Sequence, residues 1–218
     1  MSYTESNRGA ARSRQSGGNR SINTRLYAIA DLMMFVGLLN LLIVGGVLAG
    51  LIFLGFAPTL AAATATVRAR LRGEGGSVVR RFASHWWTGF GRAHLLQLPA
   101  GAASVLIAAN LLALTGANTA LTVLLWCALA IAVVYQLTVV AMDAHYELSI
   151  RACLFLAGRF LICAPASALV LACALCVVGF ATWVVPGLLP VLTLGGTVYI
   201  CTALCLSFFA ANDERIAA

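Results

Sequence analysis

The sequence predicts an all-α fold: a multi-pass transmembrane helical bundle of about five to six membrane segments with a cytoplasmic amphipathic elbow helix. Three observations predict it. Of 218 residues, 61% are hydrophobic and 10% charged, with a mean hydropathy of +0.95, whereas soluble domains are about a quarter charged. Several apolar runs reach the roughly 20 residues with which a helix crosses about 30 Å of hydrocarbon. The 14 basic residues are all arginine, and nearly all lie before Tyr27, between Arg68 and Arg92, or at Arg151 and Arg159. Basic clusters between apolar runs are what the positive-inside bias produces, so the net charge of +7 points to membrane orientation and away from nucleic acid.

Residues 1–25 are rich in Ser, Gly, Asn and Arg and poor in apolar side chains. Such a segment cannot bury enough surface to fold, and a disordered basic cytoplasmic tail is expected. Its arginines are available to anionic lipid, at about 1 kcal/mol each near a surface. The apolar run that follows begins too late and runs too long for a cleavable signal peptide, so it is expected to stay as an anchor. Residues 26–212 form a single bundle, and residues 213–218 a short C-terminal tail.

Apolar runs cover residues 27–67, 95–114, 120–141, 161–184 and 188–209. The last four each fit one span, and their uncharged connections near Gly116 and near Pro186 and Gly187 imply two antiparallel hairpins. The first run is too long for one span and barely long enough for two. Charge favours two crossings, turning near residues 45–50 and returning through residues 58–67, because every arginine then lies inside with both termini. Pro58 argues for a break in the return limb. Gly46 and Gly50 form a GxxxG pair, which favours continuous helix at a close contact. A long helix followed by a re-entrant half-helix is the alternative, tolerable where protein buries its backbone.

From about residue 77 to residue 91 the pattern changes. Val78, Phe82, Trp86 and Phe90 recur every fourth residue while Arg80, Arg81, Ser84, His85 and Thr88 take the other faces. That spacing predicts an amphipathic helix in the interface, serving as an elbow between spans or as a docking surface for a partner.

Asn40-Leu41, the run Gly55-Phe56-Ala57-Pro58-Thr59-Leu60-Ala61-Ala62, and an arginine-rich stretch with Phe82 and Trp86 together resemble the YesL-like bacterial integral membrane proteins. Tyr146-Glu147-Leu148 with Arg151 resembles that family's second internal stretch. The resemblance implies a multi-pass protein of the cell membrane, without established catalysis, linked with carbohydrate utilisation and sugar import.

Cys173 and Cys176 lie three apart and Cys201 and Cys205 four apart, and Cys173 and Cys201 sit at similar depth either side of the last turn if both helices are regular. Four thiolates could hold zinc, but thiols in an apolar setting resist ionisation and pack as small hydrophobes. Asp143, His145 and Glu147 cannot converge on one metal on a regular helix, since His145 is rotated away; Glu147 with Arg151 suits a surface ion pair. Asp31 lies one turn inside the first run, shallow enough to reach headgroup water. Asn40, Asn110 and Gln136 fall within apolar runs, where amides usually bond across helices. Lysine is absent, and no HExxH, GxSxG or P-loop occurs, so the chain is expected to be non-enzymatic, with no cofactor and no metal.

The leading expectation is an accessory or regulatory partner of a carbohydrate uptake system, acting through helix faces on a permease or another membrane protein in the bilayer, with homo-oligomers open. The alternative is a facilitative carrier or channel for a small neutral solute; an enzyme acting on lipid or polyprenyl substrates comes third. Asn40, Gly46, Gly50, Pro58, Phe82, Trp86 and Phe90 are the candidate partner and packing residues.

Overall fold

The computed structural model describes residues 3–114, 119–185, 187 and 193–217, with side chains from Thr24 onward apart from Phe53 and residues 215–217. The expected turns at Gly116 and Pro186 lie outside the described residues. Every regular element described is helical: α1 (Tyr3–Ala49), α2 (Phe53–Leu71), α3 (Val78–Thr88), α4 (Phe90–Ala113), α5 (Thr119–His145), α6 (Ile150–Cys163), α7 (Pro165–Val184) and α8 (Leu194–Ala217). Five described helical stretches are long and apolar enough to cross a membrane: Thr24–Ala49, Phe90–Ala113, Thr119–His145, Pro165–Val184 and Leu194–Glu214. Helix α1 also continues back to Tyr3, through the polar stretch for which an unfolded tail is expected.

The first apolar run folds into two limbs. Helix α1 stops at Ala49, the chain reverses over residues 50–52, and α2 returns against it. The reversal is tight: Ile52 N–H donates to the Val47 carbonyl at 2.9 Å, and both Leu51 (φ 53°) and Ile52 (φ 67°) take left-handed backbone angles. Such angles in non-glycine residues cost about 1–3 kcal/mol each and persist where the surroundings over-determine them. Here the glycines on either side do so. A Cβ on Gly50 would collide with the backbone of Gly55, and one on Gly55 would lie 2.5 Å from the Val47 carbonyl oxygen. Gly50, one of the Gly46–Gly50 pair weighed from sequence, thus serves both as a close contact, with Gly55, and as the start of the turn.

Helix α2 is the hub, packing against α1, α3, α4, α5 and α8. Its sequence explains this. Ala57, Thr59, Ala62, Ala63, Thr64, Thr66, Val67 and Ala69 are all buried, and small side chains let neighbouring backbones approach closely. The same residues, with Arg68 and Arg70, leave α2 less apolar than the five long spans, which protein surroundings tolerate and lipid would not. The break expected at Pro58 does not occur: α2 runs unbroken through it as its sixth residue, and the proline forgoes only the one hydrogen bond its missing N–H would have made to the Leu54 carbonyl.

The apolar interior has two parts. One, around Phe35, Leu39, Ala62, Val67, Phe82 and Val198, joins α1, α2, α3 and α8. The other, around Leu96, Val139, Met142, Cys153, Leu171 and Phe209, joins α4 to α8.

Two short helices serve as connections between long ones. Helix α3 links α2 to α4. Helix α6 links α5 to α7 and is a second elbow that the sequence reading merged with its neighbours. Residues 161–163 belong to α6, and Pro165 at the first position of α7 separates the two, a place where proline is pre-organised and costs no hydrogen bond.

Candidate functional site

Five of the residues singled out from sequence, Gly46, Gly50, Phe82, Trp86 and Phe90, converge where α3 meets the α1–α2 hairpin. Ser77 caps α3, its hydroxyl oxygen facing the Arg80 N–H at 3.4 Å, and the fourfold spacing then aligns Phe82 with Trp86. Phe82 is 5% exposed and lies in the α1–α2–α8 core. Trp86 Nε1–H donates to Thr59 Oγ1 on α2 at 3.0 Å. Gly46 on α1 makes room for both: a Cβ there would lie 2.5 Å from Thr59 Oγ1 and 3.3 Å from both Phe82 Cζ and Trp86 Nε1. Phe90 stacks edge-on against Trp86 at 5.5 Å. The aromatic edge, for which an elbow and a docking surface were both open, turns Phe82 and Trp86 inward, because the hairpin covers Phe82 and half-covers Trp86. Trp87, passed over in the fourfold pattern, is 77% exposed instead. Together with Ala49, Gly50, Leu51, Leu54, Trp86 and Phe90 it lines an open apolar groove of about 430 Å³.

Asn40 lies on the other side of α1 and is fully buried at 0% exposure. Its Oδ1 accepts a hydrogen bond from Gly195 N–H at 2.9 Å, at the start of α8. The first N–H groups of a helix have no partner in their own helix, so a buried amide oxygen there satisfies a donor that the bilayer interior would leave orphaned. Gly195 must be glycine, since its Cβ would lie 2.5 Å from the Val36 carbonyl oxygen. Gln136 donates to Ser104 Oγ at 2.7 Å, and Gln97 Nε2 donates to the Gln136 carbonyl at 3.3 Å, joining α4 and α5. Asn110 behaves otherwise: it is exposed and donates within its own helix to Leu106 O at 2.8 Å.

At the opposite end of the hairpin, ion pairs tie the helix ends together. Arg70 Nη2 meets Asp31 Oδ2 at 2.6 Å, with its guanidinium 4.3 Å over the Phe35 ring. This pair brings the end of α2 beside the start of the α1 span. Arg92 Nε donates to Asp143 at 2.8 Å, and its Nη2 donates to Leu148 O at 2.6 Å, pairing the start of α4 with the end of α5. Tyr146 O–H donates to Asp213 at 2.9 Å; burial, then that bond and the carboxylate's charge, push the phenol up to about 12. Sequence reasoning had Asp31, Arg70, Arg92 and Asp143 in hand but not their pairing. The available signal was one charge of each sign at ends that a hairpin brings together.

Helix α5 ends at His145 and α6 begins at Ile150 under a Ser149 cap, so Glu147 and Arg151 do not share a helix face and form no ion pair among the described residues. Cys201 and Cys205 face the interior, while Cys173 and Cys176 are exposed on the outer side of α7. Among the described residues no three His, Cys, Asp or Glu side chains group as metal ligands.

A family model described as "Protein of unknown function, DUF624" matches residues 36–111. The match spans the α1–α2 hairpin, the first elbow and most of α4, and includes every residue discussed at the α3 junction. It overlaps the stretch on which the YesL-like resemblance rests. No curated protein and no solved structure matches the chain.

Proposed function

We propose that this chain is a non-enzymatic subunit of the cell membrane that acts by helix-face contact with another membrane protein, a permease of a carbohydrate uptake system being the partner that the YesL-like resemblance implies. In this reading six segments cross the bilayer, α1, α2, α4, α5, α7 and α8, with both termini cytoplasmic. The observation that carries it is the Trp87 groove: an apolar ledge built jointly by the elbow and the strained turn at Leu51 and Ile52, with Leu51, Ile52, Leu54 and Trp87 all exposed. A ledge on rigid, close-packed elements presents fixed aromatic anchors, the kind of residue that dominates interface energy.

The carrier reading draws its support from the amides of the spans. Asn40 and Gln136 instead spend hydrogen-bonding capacity joining α1 to α8 and α4 to α5, which favours the contact reading. Photo-crosslinkers placed singly at Trp87 and Leu51 in cells grown on different carbon sources test it. Recovery of one membrane protein from both positions, and not from exposed Trp183 on α7, is the expected result. Solute-specific flux into liposomes holding the purified protein alone would overturn it in favour of the carrier.

A further inference from the structure

We infer that the outer face of the first elbow is a phosphate-binding site, independent of the Trp87 groove. Gly75, Gly76, Ser77, Arg80, Arg81, Ser84 and His85 line a cavity of about 390 Å³. Two guanidiniums, an imidazole and two hydroxyls converge there without a carboxylate in the lining. This donor set matches a phosphate group, which arginine recognises by charge and by paired N–H bonds.

The two arginines differ in state, and the difference favours a ligand. Arg81 is held: its Nη2 donates to Gly75 O at 2.9 Å and lies 3.8 Å from the Glu74 carboxylate. The turn that brings these carbonyls to it runs through Gly73 (φ 71°) and Gly76 (φ 125°), backbone that side-chain-bearing residues rarely adopt. Arg80 is exposed and makes no ion pair among the described residues. In the neighbouring hollow Arg70 is already matched by Asp31, so the uncompensated charge lies in the Arg80 cavity. The inward anchoring of Phe82 and Trp86 turns Arg80, Ser84 and His85 outward as one rigid face. A basic face beside the ends of membrane spans meets either lipid headgroups or soluble phosphates.

The full-length protein in nanodiscs tests the site, with bound lipid read by native mass spectrometry. Dioctanoyl phosphatidic acid and inorganic phosphate are the probes, and dioctanoyl phosphatidylcholine is the zwitterionic control. Retention of phosphatidic acid against inorganic phosphate identifies a headgroup site; its displacement by millimolar phosphate identifies a soluble ligand; both support the inference. Binding is expected to weaken about fivefold in Arg80→Gln and further in R80Q/R81Q, while Arg151→Gln and Arg159→Gln on α6 leave it unchanged. Arg80→Gln carries the test if loss of Arg81 unfolds the turn. Equal retention in R80Q, equal loss in R151Q and R159Q, or no preference for phosphatidic acid over phosphatidylcholine would overturn the proposal.

Discussion

Helices α3 and α6 occupy equivalent places in the chain. Each follows a helix that ends near charged residues, opens on a serine whose hydroxyl faces the N–H three residues on at 3.4 Å, and leads into a long span. They differ in what they bury. Helix α3 inserts an aromatic edge, Phe82 and Trp86, into the hairpin and shows a polar face of Arg80, Ser84 and His85. Helix α6 buries small residues, Cys153 and Ala157, with Cys153 Sγ donating to Val139 O at 3.6 Å, and turns Phe155 and Ile162 outward alongside Arg151 and Arg159. One elbow is anchored by size and exposes a polar face beside Trp87. The other is anchored by close approach and exposes apolar side chains beside its arginines. The same connection is thus anchored in two ways, set by which side chains occupy the buried face.

The sharpest way to break this comparison is to truncate one phenylalanine in each elbow. Phe82→Ala removes a core side chain and is expected to cost about 3 kcal/mol, whereas Phe155→Ala, at 74% exposure, stays within about 0.5 kcal/mol. Denaturation in lipid–detergent micelles reads both, and equal losses would mean that α3 is no better anchored than α6. A smaller effect comes from adding one methyl group. In Gly46→Ala it meets Thr59 Oγ1 at 2.5 Å, while in Gly158→Ala it meets Tyr135 Cε2 at an ordinary 3.8 Å. The first is expected to lose about 1–3 kcal/mol and the second to be neutral or gain up to about 1 kcal/mol from helix propensity. A stabilised Gly46→Ala would refute the close contact.

The smallest effect distinguishes the turns that precede the elbows. The second turn contains Tyr146, whose folded pKa is raised to about 12 from about 10 in an unfolded chain. Its contribution is therefore complete below about pH 10 and is lost as pH rises through about 12. Tyr146→Phe should lower stability by about 0.5–1.5 kcal/mol at neutral pH, and the gap to the native chain should narrow above pH 10. A gap independent of pH would show that the phenol bond to Asp213 contributes nothing.

Much of this was legible in the sequence, for particular reasons. The α4, α5, α7 and α8 spans follow from long apolar runs, and the fourfold aromatic spacing located α3. Helix α6 was not legible from hydropathy, because Leu161, Ile162 and Cys163 are as apolar as the α7 residues after them; the Ser149 cap and Pro165 were the signals available. The inward direction of Phe82 was hidden as well. An apolar stripe of a given period looks the same whether lipid, a partner or the protein's own hairpin covers it.

By itself the sequence determined an all-helical membrane-type chain and its charge punctuation, because these depend on residues near one another along the chain; it left a reversal near Gly50 open against a long first helix, and the structure decided for the reversal. The tertiary structure decided that α2 is a buried hub, that Arg70 pairs with Asp31 across 39 residues and that Asn40 meets Gly195 across 155. Those contacts depend on the register between helices, which small residues such as Gly46, Gly55 and Gly195 set by permitting close approach, and no local pattern encodes which pair of helices will use it.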